Sequence, residues 1–259
     1  MYHTAWFPTF IPFLSHSPFE PKGELEEKSM KRLSLGSGIE SIGMPDRTNP
    51  VAKPSDLYAR GGKYVFDLLL ILLSLPFLLP VFAILIVVAS LDGASPFYIH
   101  PRVGKNGKAF HCFKFRSMVP DADKKLKDLL DNAPEARSEW EHYQKIKNDP
   151  RVTKFGRFLR SSSLDELPQL FNVLRGEMSL VGPRPFMPNQ NKLYKQAGGG
   201  HYYDLKPGIT GAWQVSSRNS SSFKSRTDYD DLYYQNMSLS EDVRILAKTI
   251  SVVLKRTGH

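Results

Sequence analysis

The chain has 259 residues, and its composition already excludes several classes of protein. Lysine and arginine total 35 against 26 aspartates and glutamates, a net charge of +9, which excludes an acidic tail protein and admits nucleic acid, anionic lipid or phosphorylated compounds as partners. With 41% hydrophobic residues the chain can bury a core. Its single cysteine, Cys112, excludes an intrachain disulfide and fits a reducing compartment.

The first stretch, residues 1–57, is rich in proline and has neither a helical nor a strand period. We therefore predict a disordered N-terminal extension over 1–57. The apolar residues near its start have no basic residue before them and are interrupted by Pro8 and Pro12. This pattern does not fit a secretory signal peptide.

Residues 64–89 form one apolar run in which Asp67 is the only charge. A straight helix of that length measures about 39 Å, more than the ~30 Å hydrocarbon core of a bilayer, and the run therefore predicts a membrane segment. Pro76 and Pro80 each remove a backbone donor from its interior. A kinked spanning helix and a helix that breaks at Pro80 and returns to the same face both fit, since the flanking basic residues are too balanced to set an orientation.

The remainder, residues 93–259, has the pattern of a water-facing domain. Asn106-Gly107 favours a hairpin turn between two strands, one over 97–100 and one over 109–118. Polar helices are predicted over 121–131 and 135–147. Apolar spacing of i, i+3, i+4, i+7 predicts amphipathic helices that end at about 174, before Gly176, and at about 254.

Asp165 and Glu166 are adjacent acids at the start of the first amphipathic run. Ser163 and Glu166 fit a capping box, which is a purely structural interpretation. A helix starting at Asp165 instead places Pro168 in the first turn, where its missing donor is harmless. Asp165 would then be free to attack or to bind metal, with Glu166 close enough to share the cation. Both interpretations remain open from these residues alone.

Basic residues occur in ordered local settings around this pair. Alternation in the second strand places Lys114 and Arg116 on one face, where they either clamp a diphosphate or form a solvated face. Arg160 follows an apolar stripe in a short helical pattern. Arg184 lies between Pro183 and Pro185, a rigid setting that presents a planar fork suited to phosphate or forms a structural turn.

Several familiar motifs are absent from the sequence. It contains no Gly-x-x-x-x-Gly-Lys-Ser/Thr loop, no Gly-x-Gly-x-x-Gly fingerprint and no clustered histidines and cysteines with metal-ligand spacing. Nucleotide-binding folds of those kinds are therefore unsupported. A membrane-tethered nucleic-acid-binding protein, motivated by the charge of +9, and a membrane scaffold without chemistry are the alternatives to an enzyme.

From Lys63 to its end the chain resembles the bacterial sugar transferases, the monotopic phosphoglycosyl transferases that begin lipid-linked glycan assembly. The resemblance rests on five segments in the family's order: KYVFDLLL, FKFRSM, DPRVTKFGRFLRSSSLDELPQLFNVLRGEMSLVGPRP, LKPGITGAWQVSSRN and DLYYQNMSLSEDVRILAKTI. It departs from the usual pattern at Leu79, where a serine is common before Pro80, and at Ser217, where glycine is usual.

The resemblance implies an α/β (α+β) monotopic membrane protein: a re-entrant, proline-broken helix over 58–92, amphipathic interfacial helices, and a cytoplasmic catalytic domain with a small sheet over 93–259. It lies at the bacterial inner membrane. The implied reaction transfers hexose 1-phosphate, galactose or glucose, from a UDP-sugar to undecaprenyl phosphate, releases UMP and starts exopolysaccharide synthesis. Membrane lipid is an expected partner, nucleic acid is not, and homo-oligomerisation is left open.

The resemblance also implies roles for individual residues. Asp165 is the nucleophile that forms a covalent phosphosugar intermediate, and Glu166 helps it to hold Mg2+. Phosphate is bound by Arg160 and Arg184, with assistance from Lys114 or Arg116. Asp231 matches a further acidic position of the family's site.

Overall fold

The computed structural model describes residues 57–143, 146, 149–216 and 223–254. The N-terminal extension predicted over 1–57 therefore lies almost wholly outside the described residues, and so does Ser217. The described part contains nine α-helices and two small two-stranded sheets. This mixture of helices with little sheet agrees with the fold class expected from the sequence.

The predicted membrane segment is a single long helix. A turn of π-helix, Tyr58–Gly62, leads into α1, Lys63–Ser90. By length and composition alone, it is the one helix in the described ranges that is long and apolar enough to cross a membrane. Most of its surface is open, with Leu73 and Phe77 exposed by 74% and 78%.

Helical structure continues through both prolines of α1, so the break that the sequence suggested at Pro80 is not an interruption of the helix. A proline removes one hydrogen bond to the preceding turn but tolerates helical dihedral angles. Packing holds the helix on both sides of the prolines. Ile71 is buried against Met178 before them, and Leu85 is buried against Phe115 and Leu159 after them.

The predicted hairpin is present. Strands β1, Phe97–Val103, and β2, Ala109–Phe115, are antiparallel and pair from Phe97–Phe115 to Val103–Ala109. The turn between them places Asn106 and Gly107 at φ 58° and 73°, the left-handed region that Asn-Gly favours. Two polar helices follow, α2 (Ala122–Asn132) and α3 (Pro134–Tyr143), close to the predicted ranges.

The segment that contains the acidic pair lies between two short helices. Helix α4, Lys154–Ser161, is capped by Thr153, whose side chain accepts a hydrogen bond from the Gly156 N–H. Helix α5, Gln169–Leu174, ends before Gly176, which has φ 73° as its stop position requires. Helix α5 packs on both the hairpin and α1, through residues such as Val173 in the core and Phe171 at its edge.

A parallel strand pair that the sequence did not predict completes the domain. Strand β3, Ser179–Val181, lies beside β4, Gly208–Thr210. Helix α6, Asn191–Gln196, falls between them in sequence, and α7 (Ala212–Ser216), α8 (Phe223–Asn236) and α9 (Leu239–Leu254) follow. Helix α9 corresponds to the predicted terminal helix. Its residue Ile245 packs with Val181 of β3, and with Leu205 and Tyr233, in one cluster of the hydrophobic core.

Candidate active site

Asp165 and Glu166 lie in a tight turn immediately before α5. Residues Leu164–Glu166 form one turn of 3-10 helix, preceded by Ser163 at φ 58°. The side chain of Ser163 makes no cap hydrogen bond, so the capping-box interpretation is wrong. The helix predicted to start at Asp165 begins instead at Gln169, and Pro168 adopts φ −62° just before it, where its missing donor is harmless. The turn therefore leaves both carboxylates available for contacts with distant parts of the chain.

Glu166 is held by two cations. Lys114 on β2 donates to Glu166 Oε1 at 2.8 Å, and Arg184 donates to the same oxygen at 2.9 Å. Burial raises the pKa of this carboxyl, but Arg184 and Lys114 outweigh it and lower the pKa to about 2. Glu166 is therefore ionised at neutral pH and neutralises part of the charge of the two basic residues.

Asp165 has a different environment although it is the adjacent residue. Its Oδ2 is 3.6 Å from Lys114 Nζ, and its side chain is 13% exposed. Burial raises the pKa of Asp165, and the charge of Glu166 raises it further, against the opposite influence of Lys114 and Arg184. A carboxylate with few strong partners and a raised pKa is a better nucleophile than one bound tightly by cations.

Arg184 follows β3 on a loop whose backbone is closely packed. The Gly182 N–H donates to the Thr210 carbonyl at 2.9 Å, and the Gly208 N–H donates to the Pro183 carbonyl at 2.8 Å. A Cβ atom on Gly208 would lie 2.1 Å from the Gly182 nitrogen, so only glycine fits. This close approach, together with two prolines, fixes the loop that directs Arg184 towards Glu166.

Three other predicted residues lie in different surroundings. Arg160 donates to Ser117 Oγ at 2.9 Å, and it is close enough to Asp165 to lower the pKa of that carboxyl. Arg116 pairs with Asp92 at 2.6 Å and also donates to backbone carbonyls, so it ties the hairpin to the end of α1. Asp231 contacts His201 Nδ1 at 3.0 Å. The structure thus brings Lys114, Asp165, Glu166 and Arg184 together with Arg160 beside them, whereas Arg116 and Asp231 make other contacts.

A cleft beside Glu166 contains polar residues that the sequence analysis missed. Its lining includes Lys114, Glu166 and Arg184, and it adds Arg102, Cys112, Gln169, Pro185, Gly208 and Ile209. Arg102 donates to the Pro185 carbonyl at 3.4 Å, and within the described ranges no carboxylate pairs with it. Burial lowers the pKa of Arg102, and Arg184 lowers it further. In the sequence, the one signal that could have indicated Arg102 as a site residue is its position two residues before the hairpin turn.

The two carboxylates of the acidic pair suit a metal ion only when a substrate supplies further ligands. Within the part of the chain that the structure describes, no cluster of three or more His, Cys, Asp or Glu side chains is available to a metal. Mg2+ is typically bound through one or two carboxylates together with water and substrate phosphates. Asp165 and Glu166 satisfy that requirement, whereas a fully protein-made metal cage does not exist among these residues.

Residues 58–256 match the sequence profile of the family described as Bacterial sugar transferase. The chain belongs to the bacterial sugar transferase family. This match covers the membrane helix, both sheets and the acidic pair, and it confirms the resemblance seen in the sequence motifs.

Individual bacterial sugar transferases are similar to this chain over most of its length. A UDP-galactose-lipid carrier transferase from Erwinia amylovora is 50% identical over 212 residues, which are 82% of this chain and 43% of the relative. An undecaprenyl-phosphate galactose phosphotransferase from Salmonella typhimurium is 47% identical, covering 81% of this chain and 43% of the relative. The exopolysaccharide production protein ExoY of Sinorhizobium fredii is 45% identical, covering 76% and 87%. The chain therefore spans less than half the length of the first two relatives.

Proposed function

We propose that this protein transfers hexose 1-phosphate, galactose or glucose, from a UDP-sugar to undecaprenyl phosphate and so starts exopolysaccharide synthesis. The observation that carries the proposal is the contrast between adjacent carboxylates: Glu166 is bound by Lys114 and Arg184, while Asp165 has a raised pKa. The names of the relatives support the donor, acceptor and pathway. An anionic diphosphate would be attracted by the basic residues around the pair.

The first proposed step is attack by Asp165 on the donor. A carboxylate oxygen of Asp165 forms a bond to the sugar-bearing phosphorus, the bond from that phosphorus to the bridging oxygen breaks, and UMP leaves with that oxygen. Lys114 and Arg184 would stabilise charge on the phosphate oxygens. Arg160, beside Asp165, would contribute in the same way.

The second proposed step regenerates the enzyme. A phosphate oxygen of undecaprenyl phosphate attacks the phosphorus of the aspartyl phosphosugar, the bond from Asp165 to phosphorus breaks, and the carboxylate is restored. Two displacements at the same phosphorus need only one nucleophile on the protein. A single nucleophile fits a site in which Lys114 and Arg184 both donate hydrogen bonds to Glu166 and neither donates one to Asp165.

We propose that Glu166, with Asp165, holds Mg2+ when the donor is bound. The ion would neutralise diphosphate charge and polarise its oxygens. Lys114 and Arg184 would then shift from Glu166 towards phosphate oxygens of the donor, which are acceptors of equal charge-assisted strength. Glu166→Gln should therefore require more Mg2+ for half-maximal UMP release. A magnesium titration identical to that of the unmodified protein would contradict the metal role.

We further propose that α1 bends at Pro76 and Pro80 without interruption of its helical structure, so that it enters and leaves the inner membrane by the cytoplasmic face. Asp67 and Ala89 are both buried against the domain, and the helix between them measures about 33 Å, more than the hydrocarbon core. A spanning helix could not pack on a water-facing domain over that distance. Exposed apolar residues elsewhere, including Phe158 on α4, Phe171 on α5 and Ile250 on α9, are suited to interfacial contact.

Labelling of two introduced cysteines tests this topology. Gly61 and Lys105 flank α1 and are exposed, whereas the native Cys112 is buried and adds little background. In sealed inverted vesicles, an impermeant thiol reagent should label Gly61→Cys and Lys105→Cys from the same, cytoplasmic side. Labelling of the two positions from opposite sides would rule out the re-entrant arrangement.

Release of UMP tests the reaction itself. The full chain in lipid nanodiscs should release UMP continuously from UDP-galactose or UDP-glucose when undecaprenyl phosphate is present. RNA or DNA in place of the lipid phosphate should not support turnover, and Asp165→Ala should be inactive. Absence of UMP release across a panel of UDP-sugars would contradict the proposal. It would favour a scaffold or a nucleic-acid-binding role instead.

A further inference from the structure

A buried carboxylate on α9 binds the beginning of the membrane segment. Asp242 is 0% exposed and accepts hydrogen bonds from Tyr58 at 2.7 Å and from Tyr233 at 2.6 Å. Lys63, the first residue of α1, donates to the same carboxylate. The side chain of Asp242 is thus hydrogen-bonded to two residues at the start of the membrane segment, Tyr58 and Lys63.

A second buried carboxylate makes the reciprocal connection. Asp67 on α1 is 1% exposed and accepts a hydrogen bond from Ser179 Oγ at 2.6 Å. Ser179 is the first residue of β3 and is itself buried. The only charge within the apolar run of the membrane helix is therefore bonded to the domain and is not directed into lipid.

These contacts form one group, which we call the anchor clamp: Tyr58, Lys63, Asp67, Ser179, Tyr233 and Asp242. The clamp is joined directly to the candidate active site. Strand β3 runs from Ser179 to Val181 and continues into the loop that directs Arg184 to Glu166. The Tyr233 hydroxyl oxygen, whose proton is donated to Asp242, also lies 3.3 Å from the Val181 carbonyl oxygen.

Apolar packing alone leaves the orientation of α1 poorly specified, because leucine and phenylalanine surfaces can slide or rotate with little change in buried area. Hydrogen bonds between fixed partners are directional and permit one register. Buried charged groups are a costly way to gain stability, and their best-attested use is to specify a geometry. The anchor clamp has the composition expected of such a device.

We propose that the anchor clamp consists of positioning residues that set the orientation of α1 against the active site, and thereby the height of Asp165 relative to the lipid acceptor. The inference rests on the proposed function. UDP-sugar is soluble and reaches the site from water, so its reaction is insensitive to that height. Undecaprenyl phosphate is fixed at the membrane surface, so its attack on the phosphosugar depends on that height.

Two variants weaken the clamp in different ways. Asp242→Asn keeps the shape of the side chain but cannot accept all of its hydrogen bonds. Tyr58→Phe with Ser179→Ala removes two hydroxyl groups, retains every charge and serves if Asp242→Asn fails to fold. Tyr203→Phe is the matched control, because it removes a hydrogen bond of 2.6 Å to Asn191, outside the clamp.

The full chain in nanodiscs is assayed for two rates. The first is UMP release from the donor in a single turnover without acceptor, and the second is transfer to undecaprenyl phosphate. Misplacement of reacting groups by about 1 Å can cost about 100-fold, so we expect the clamp variants to lose about tenfold to 100-fold in transfer. Their donor step and both rates of Tyr203→Phe should stay near those of the unmodified protein. A water-soluble short-chain prenyl phosphate should largely restore transfer.

The inference is overturned if both clamp variants transfer normally, if both steps fall together, or if the short-chain acceptor gives no recovery. A merely structural role would lower thermal stability without separating the two rates. Failure of the proposed function is distinguishable, because the unmodified protein would then release no UMP from the donor.

Discussion

Lys114 Nζ lies between the two acids, 2.8 Å from Glu166 Oε1 and 3.6 Å from Asp165 Oδ2. The lysine is closer to Glu166, which we propose as a metal ligand, than to Asp165, the proposed nucleophile. This asymmetry accompanies opposite pKa directions at the two adjacent carboxyls.

The raised pKa of Asp165 should be visible in the pH dependence of the donor step. Attack requires the ionised carboxylate, so the rate should rise with pH as Asp165 loses its proton. Because burial and then Glu166 raise this pKa, the midpoint should lie above the ordinary aspartate value of 3.8. Single-turnover UMP release measured from about pH 4 to about pH 8 checks this. A rate that is constant over the whole range would contradict it.

The same pKa direction predicts that Asp165 lowers the stability of the fold. When the pKa of an acid is higher in the folded than in the unfolded protein, the free energy of unfolding falls as the pH rises between the two pKa values. The loss is complete above the folded pKa. Asp165→Asn should therefore raise the free energy of unfolding at neutral pH while it abolishes activity. Denaturant unfolding at neutral and at acidic pH measures this, with a smaller gain expected in acid. A variant less stable than the unmodified protein at neutral pH would show that Lys114 and Arg184 outweigh burial.

Arg184 should not be replaceable by lysine. Its guanidinium can contact a phosphate through two donors, whereas an ammonium acts as a point charge. Arg184→Lys should keep the fold, because the closely packed loop is set by Gly182, Gly208 and the prolines. The donor step should slow by about tenfold, equivalent to about 1.4 kcal/mol. Equal rates for the two side chains would reduce the role of Arg184 to general charge.

Arg102 is predicted to bind the donor. It lines the cleft beside Lys114 and Arg184 and is not neutralised by a carboxylate among residues 57–143, 149–216 and 223–254. Arg102→Gln should raise the KM for UDP-sugar by about tenfold, equivalent to about 1.4 kcal/mol, with thermal stability nearly unchanged. Arg137→Gln is the matched control, because Arg137 forms an exposed pair with Asp131. An unchanged KM in Arg102→Gln would place the donor elsewhere.

Local features of the chain were predictable, and their long-range partners were not. Asn106-Gly107 specifies a hairpin turn through backbone preference alone, and apolar periodicity indicates α9. The contacts of Glu166 join residues 52 positions earlier and 18 positions later, a distance that no local pattern encodes. Alternation predicts that Arg116 shares a strand face with Lys114, yet β2 ends at Phe115 and Arg116 binds Asp92 just after α1. Strand alternation cannot reveal such a competing partner.

The parallel pair β3 and β4 illustrates a second limit. Each strand has three residues, too few for a period of two to be recognised, and β4 begins with glycine. Asp67 illustrates a third. It is the only charge in the apolar run, but its partner Ser179 is 112 positions away. Such residues are explained only when the packing of distant segments is known.

Mass analysis of the protein after incubation with the donor alone tests the central claim most directly. Unmodified protein mixed with UDP-galactose or UDP-glucose, without lipid acceptor, should gain one hexose phosphate on the peptide that contains Asp165, with one UMP released per adduct. Undecaprenyl phosphate added afterwards should remove the adduct, and Asp165→Asn should form none. A hexose phosphate on another residue, or an active Asp165→Ala protein without any adduct, would contradict the account.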